Sequence, residues 1–240
     1  MPSGYRTFEE REQAWKHWDR DAQKEGPRHT VYWTTGEQYT GAWKNNKRHG
    51  KGTVIYKNGD KYEGDWAAGL RQGLGTLWIY VDGKFVVRYN GMWHKDRPSG
   101  NGTFFGNDGE LYEGEFKGGL RCGRGKQSVG GRAVDGFGAT VYEGEWLNDM
   151  KNGRGTLTKP NGDVHEGEWK DNMRHGQGTY YFMEKGMRYD GVWQEDVCKC
   201  GTYSEIHASG PGTKGVLPNL ELKTPTEVLK SATAAAVEQL

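Results

Sequence analysis

YEGEW, residues 142–146, is one of seven variations on a single phrase. YTGAW opens at Tyr39, YEGDW at Tyr62, YNGMW at Tyr89, YEGEF at Tyr112, HEGEW at His165 and YDGVW at Tyr189. The openings lie 23, 27, 23, 30, 23 and 24 residues apart, a period that marks an array of repeated units. Eleven and thirteen residues after each of the first six openings comes G-x-G: Gly50/Gly52, Gly73/Gly75, Gly100/Gly102, Gly123/Gly125, Gly153/Gly155 and Gly176/Gly178.

Side chains alternate across a strand, so Tyr, Gly and Trp of each phrase share one face and the acidic residues between them take the other. A polar turn such as LNDMKN follows, then a second strand such as GRGTLTK. Glycine inside a strand marks close approach of something bulky. The spacing therefore predicts rings of one hairpin lying over both glycines of its neighbour, each ring burying roughly 150–250 Å². KNGDK before Tyr62, NDGEL before Tyr112 and PNGDV before His165 are read as two-residue hairpin turns. The expected fold is all-β: an elongated, single-layer antiparallel meander advancing about 10 Å per unit, with short helices at both ends.

The unit Y-E-G-x-W-x-x-x-x-x-x-G-x-G-T resembles the MORN repeat, over about residues 31–206. The flank WKHWDRDAQKEGPRHTVYWTTGEQYTGAW (15–43) and the breakdown at KCGT (199–202) are similar to a group of MORN proteins associated with motile cilia, flagella and spermatogenic cells. That resemblance implies a cytoplasmic, cytoskeletal place in the axoneme, at radial spokes, among the other proteins of a large assembly.

Composition narrows the function classes. Hydrophobic residues are only 33% and mean hydropathy is −0.96, values that go with disorder. Ten tryptophans and 39 glycines argue instead for a thin, ordered structure. A net charge of +1 argues against nucleic-acid partners. No apolar run approaches the ~18 residues of a membrane span, and MPSGYRTFEEREQ lacks the apolar stretch of a secretory signal. Three cysteines do not make a disulfide framework, so a reducing compartment is expected.

The chain divides into an N-terminal helical cap (1–30), the array (31–206) and an extended tail with a short helix (207–240). Thr7 and Glu10 form a capping box for a helix over 8–25, ended by Gly26 and Pro27. That helix covers the first sheet edge or is presented to a partner. VYWTTGEQ (31–38) reads as a lone second strand of the repeat that starts the sheet, and Thr224, Pro225 and Glu227 signal a helix start in the tail. Two units carry extra residues, LWIYVDGKFVVR (77–88) and KQSVGGRAVDGFGATV (126–141). They are tolerated loops or binding elements; FVVR is apolar enough to favour an extended hairpin with a partner against it.

Catalytic chemistry is not expected. The pairs Glu63/Asp65, Glu113/Glu115, Glu143/Glu145 and Glu166/Glu168 recur with the period and read as ladder positions. GRGK (123–126) lacks the context of a phosphate loop, the histidines are dispersed, and Cys198/Cys200 read as a buried end cap. No cofactor, metal or small-molecule ligand is expected. The candidate protein-binding face is a ring ladder of Trp43, Trp66, Trp93, Phe116, Trp146, Trp169 and Trp193, with Tyr39, Tyr62, Tyr89, Tyr112, Tyr142 and Tyr189 facing the partner. Basic residues recur near the hairpin tips: Arg48, Arg71, Arg97, Arg121, Lys151 and Arg174. They pair with the acidic ladder, or form a basic edge for an acidic protein or lipid surface. The expectation is a non-enzymatic interaction scaffold; the alternative is a peripheral phosphoinositide-binding module.

Overall fold

The structure, a computed structural model, describes residues 24–130 and 138–206. The described residues form an all-β fold of antiparallel strands in two compact units. The first runs up to Phe104 and includes 116–119; it holds β1 (Gly26–Tyr32), β2 (Gln38–Lys44), β3 (Lys47–Ile55), β4 (Lys61–Ala67), β5 (Leu70–Val81), β6 (Lys84–His94) and most of β7 (Arg97–Phe105). The second takes 105–115 and the chain from Leu120; it holds most of β8 (Leu111–Lys117), then β9 (Leu120–Val129), β10 (Thr140–Leu147), β11 (Met150–Thr158), β12 (Val164–Lys170), β13 (Met173–Phe182), β14 (Met187–Gln194) and β15 (Val197–Glu205). Strand order follows chain order in each, as the meander reading predicts.

The repeat fixes the register. In β2–β3, Tyr39 faces Val54, Gly41 faces Gly52 and, past a bulge, Trp43 faces Arg48. In β4–β5 the same pairs are Tyr62/Leu77, Gly64/Gly75 and Trp66/Arg71. In β10–β11 they are Tyr142/Leu157, Gly144/Gly155 and Trp146/Lys151. Gly91/Gly102 in β6–β7 and Gly167/Gly178 in β12–β13 repeat the central pair. Between hairpins the glycines pair again: Gly52 with Gly64, Gly125 with Gly144 and Gly155 with Gly167. A row of glycine thus crosses the strands of each unit.

The two kinds of turn differ from the sequence reading. The Asn-Gly turns are three-residue loops: Tyr56 N donates to Asp60 O (2.8 Å), Gly59 N donates to Tyr56 O (2.9 Å), and Gly59 alone is left-handed at φ 89°. The two-residue turns, with positive φ at both centres, are at the opposite hairpin ends: Asn45–Asn46, Lys95–Asp96, Asn148–Asp149, Asp171–Asn172 and Glu195–Asp196. Most of these carry Asn or Asp, which tolerate that conformation without glycine.

Boundaries also shift. Gly26 and Pro27 do not close a helix: they open β1, and the turn to β2 falls over 33–37, inside the expected strand. Lys24 and Glu25 are not helical. The rest of that helix, the tail from 207 and residues 131–137 of the second insertion lie outside the described residues.

Candidate interaction face

The opening rings pack edge to face along the glycine row. In the first unit Trp43, Tyr39, Trp66, Tyr62, Trp93, Tyr89 and Phe116 follow one another with centroids 5.1–5.5 Å apart and near-perpendicular planes. In the second the series is Tyr112, Trp146, Tyr142, Trp169, His165 and Trp193, at 5.1–5.5 Å. Such pairs add about 0.5–1.5 kcal/mol each beyond the area they bury.

The two glycines of G-x-G do different things, which corrects the expectation that both make room for a ring of the neighbouring hairpin. The second glycine lies under the opening ring of its own unit. Gly52 sits under Tyr39, Gly75 under Tyr62, Gly102 under Tyr89, Gly125 under Tyr112 and Gly155 under Tyr142; a Cβ on any of them would stand 2.5–2.6 Å from the tyrosine Cζ. Gly178 sits under His165 instead, with more room, since a Cβ there would stand 2.8 Å from the imidazole Cε1.

The first glycine is a left-handed residue with no ring over it. Gly73 (φ 73°), Gly123 (φ 58°), Gly153 (φ 84°) and Gly176 (φ 60°) are set against an acidic side chain of the same unit, Asp65, Glu115, Glu145 and Glu168. Gly50 (φ 64°) and Gly100 (φ 68°) face the side chains of Ala42 and Met92, which stand at the same place in their phrases. This glycine lets the chain bulge, and a carboxylate beside it accepts the next free amide, as Asp65 does from Leu74 N at 3.0 Å and Glu115 from Arg124 N at 2.9 Å.

Contact with the neighbouring unit is made by tryptophan. Trp66 Nε1 donates to Gly52 O at 3.0 Å, Trp93 to Gly75 O at 3.0 Å, Trp146 to Gly125 O at 3.1 Å and Trp169 to Gly155 O at 3.0 Å. One unit's indole is therefore anchored on the preceding unit's second glycine, so these units require their neighbours.

The MORN repeat family matches residues 39–61, 62–84, 89–110, 112–128, 142–164 and 165–186, more than half of the chain. The chain belongs to the MORN-repeat family. It is similar to MORN repeat-containing protein 3 of Xenopus laevis (61% identical over 41 residues), of Mus musculus (56% over 41) and of Homo sapiens (54% over 41). Each aligned stretch is 17% of this chain and 17% of the relative.

Within these MORN units the ring ladder is core. Tyr39, Tyr62, Tyr89, Tyr112 and Tyr142 are at most 2% exposed, and the tryptophans are buried too. For these five the expectation that the tyrosines face a partner does not hold, whereas Tyr189 is half-buried. Each of the five donates its hydroxyl to the carbonyl three residues on, at 2.9–3.1 Å. Burial pushes these hydroxyls well above the ordinary phenol range, Tyr39 to about 12.

The basic series is not an edge and does not pair with the acidic ladder. Arg71, Arg121 and Arg174 lie on the ring side, 4.1–4.7 Å from the rings of Trp93, Trp146 and Trp193. Each pairs with an aspartate of the following turn: Asp96 at 3.1 Å, Asp149 at 3.1 Å and Asp196 at 2.9 Å. Arg48 stacks on Trp33, Tyr39 and Trp66 and pairs with Glu37. Arg97 is not in the series, because the register puts Pro98 opposite Trp93. These turn aspartates were not singled out in the sequence. Their fixed place, seven residues after Tyr89, Tyr142 and Tyr189, was the available signal.

Departures from the repeat are what reach the surface. The first insertion is an extended β5–β6 hairpin closed by Asp82–Gly83, both at positive φ. Its inner part is held by Lys61 Nζ, 3.8 Å from the Trp78 ring centroid, and by Tyr80 N, which donates to Asp60 at 3.0 Å. Its tip leaves Tyr80, Val81, Phe85 and Val86 exposed. Cys198 and Cys200 are not a buried cap: Cys198 is half-buried and Cys200 exposed.

Proposed function

We propose that this chain is a non-enzymatic interaction scaffold, in which the regular MORN units build the support and their departures meet other proteins. The observation that carries the reading is the β5–β6 tip, where Tyr80, Val81, Phe85 and Val86 are 43–49% exposed. Tyr80 and Phe85 share one face of the hairpin and Val81 and Val86 the other, and large apolar side chains exposed on both faces of a projecting tip suit a protein contact. The partners are proteins of a large assembly, and the ciliary or flagellar axoneme, at radial spokes, is the setting supported by the resemblance of the 15–43 flank. The lipid-binding alternative is weakened because Arg48, Arg71, Arg121 and Arg174 are turned onto rings and paired with carboxylates.

The test compares capture of axonemal proteins from ciliated cells by the native chain and by Phe85→Asp/Val86→Asp, two substitutions at exposed positions. The native chain is expected to retain a defined set of proteins that the variant loses at an unchanged melting temperature. Equal capture by both, or salt-sensitive binding to anionic vesicles with no protein retained, would contradict the reading.

A further inference from the structure

Three of the basic rungs share one construction, Arg48 takes its carboxylate from Glu37 instead, and the Lys151 rung has none among the described residues. Asp96 accepts from Arg71 N (2.9 Å) and Nε (3.1 Å), Asp149 from Arg121 N (2.8 Å) and Nε (3.1 Å), and Asp196 from Arg174 N (2.9 Å) and Nε (2.9 Å). One carboxylate caps the backbone and neutralises the cation. At Lys151 the partner is Asn172, whose Oδ1 accepts from Lys151 N at 2.9 Å. The amide keeps the backbone bond and omits the charge. Lys151 Nζ lies 5.0 Å from the Tyr142 ring centroid and 5.6 Å from that of Trp169, with no carboxylate paired to it among the described residues.

This rung borders a depression of about 300 Å³ in the second unit, which Lys159 and Arg174 also line. Against these three cations the lining holds one carboxylate, Asp196, already committed to Arg174. Beside it is a polar defect. His165 also lines the depression, is 1% exposed, and has no partner on either ring nitrogen among the described residues. Trp193, whose ring centroid lies 5.1 Å from that of His165, has an unpartnered Nε1 as well. Leu157, Trp169 and Tyr180 supply apolar wall. The depression thus has surplus positive charge and unused polar atoms, and the neighbouring rungs show which group completes such a site.

We propose that the Lys151 rung takes up a carboxylate from a binding partner, an Asp or Glu side chain, in the place that Asn172 leaves uncharged. The inference deepens the scaffold reading by naming a second contact and its chemistry, and it rests on that reading for the source of the carboxylate.

The probe is phenylacetate, a carboxylate on a ring that suits the walls, titrated into the full chain while the indole N–H signals of Trp169 and Trp193 are followed by NMR. Saturable shifts are expected with a Kd on the order of a millimolar, as a fragment of this size allows. Uncharged phenylacetamide and inorganic phosphate are expected to leave the signals in place. Asn172→Asp supplies the carboxylate from within the chain, as at Asp149 and Asp196, and so should fold normally while weakening phenylacetate by at least about tenfold. No shift with phenylacetate, equal shifts with phosphate or phenylacetamide, or unchanged affinity in Asn172→Asp would overturn the proposal. The scaffold reading fails separately: hairpin-tip variants that still capture partners, with phenylacetate bound, contradict that reading and leave this site standing.

Discussion

His165 stands where the six other openings have tyrosine, and the difference shows what the hydroxyl does. Five tyrosines close a bond to the carbonyl three residues on, whereas the shorter imidazole is buried with both nitrogens unpartnered among the described residues. Burial, with the charge of Arg174 adding to it, lowers its pKa from 6.5 to about 4. A base whose folded pKa is depressed binds fewer protons folded than unfolded, so stability rises with pH between the two values. The melting temperature is expected to be level above pH 6.5 and to fall as pH drops towards about 4. His165→Tyr should remove that component and raise stability by about 1 kcal/mol, the worth of one regained hydrogen bond. A variant as pH-sensitive as the native chain over this window would show that His165 does not set it. The sequence made the substitution plain, because the period put a histidine in a tyrosine's place. It did not show the burial, because the phrase gives a side chain's face and not what covers that face.

At the scale of elements, the hairpin count was legible, since the opening phrase and G-x-G recur with one period and each marks a strand. The assignment of turn types was not. Asn-Gly drew the two-residue reading, but most of the two-residue turns carry Asn or Asp at a left-handed centre without glycine, and Ala68–Gly69, Asp82–Gly83 and Gly118–Gly119 are those that use it. Ala68, like Lys95 and Glu195, is neither Asn nor Asp, and it is held at φ 52° before Gly69 with a side chain that gains nothing from that conformation. A left-handed L-residue costs about 1–2 kcal/mol, less for asparagine. Ala68→Asn should therefore stabilise the chain by about 0.5–1 kcal/mol, read as a higher urea midpoint at unchanged slope. An unchanged or lower midpoint would mean that the turn is not strained at Ala68. The extended β5–β6 hairpin was readable from its length and from FVVR. The aspartates on the arginine rungs were not, because their partners sit 22–28 residues away.

For the whole molecule, low hydrophobicity and order are reconciled by where the rings go. The regular unit sets a tyrosine on its own second glycine and a tryptophan on the carbonyl of the glycine before it, so a core one side chain deep repeats across the strands. The central claim is that the second glycine of G-x-G exists for that tyrosine. A double-mutant cycle with Gly155→Ala and Tyr142→Ala, read by urea unfolding, tests it most directly. Alone, Gly155→Ala is expected to cost roughly 2–3 kcal/mol, because the new methyl meets the Tyr142 ring. With Tyr142 already removed, the same change should cost under about 1 kcal/mol, since the ring that the methyl meets is gone. An equal cost in both backgrounds would contradict the account.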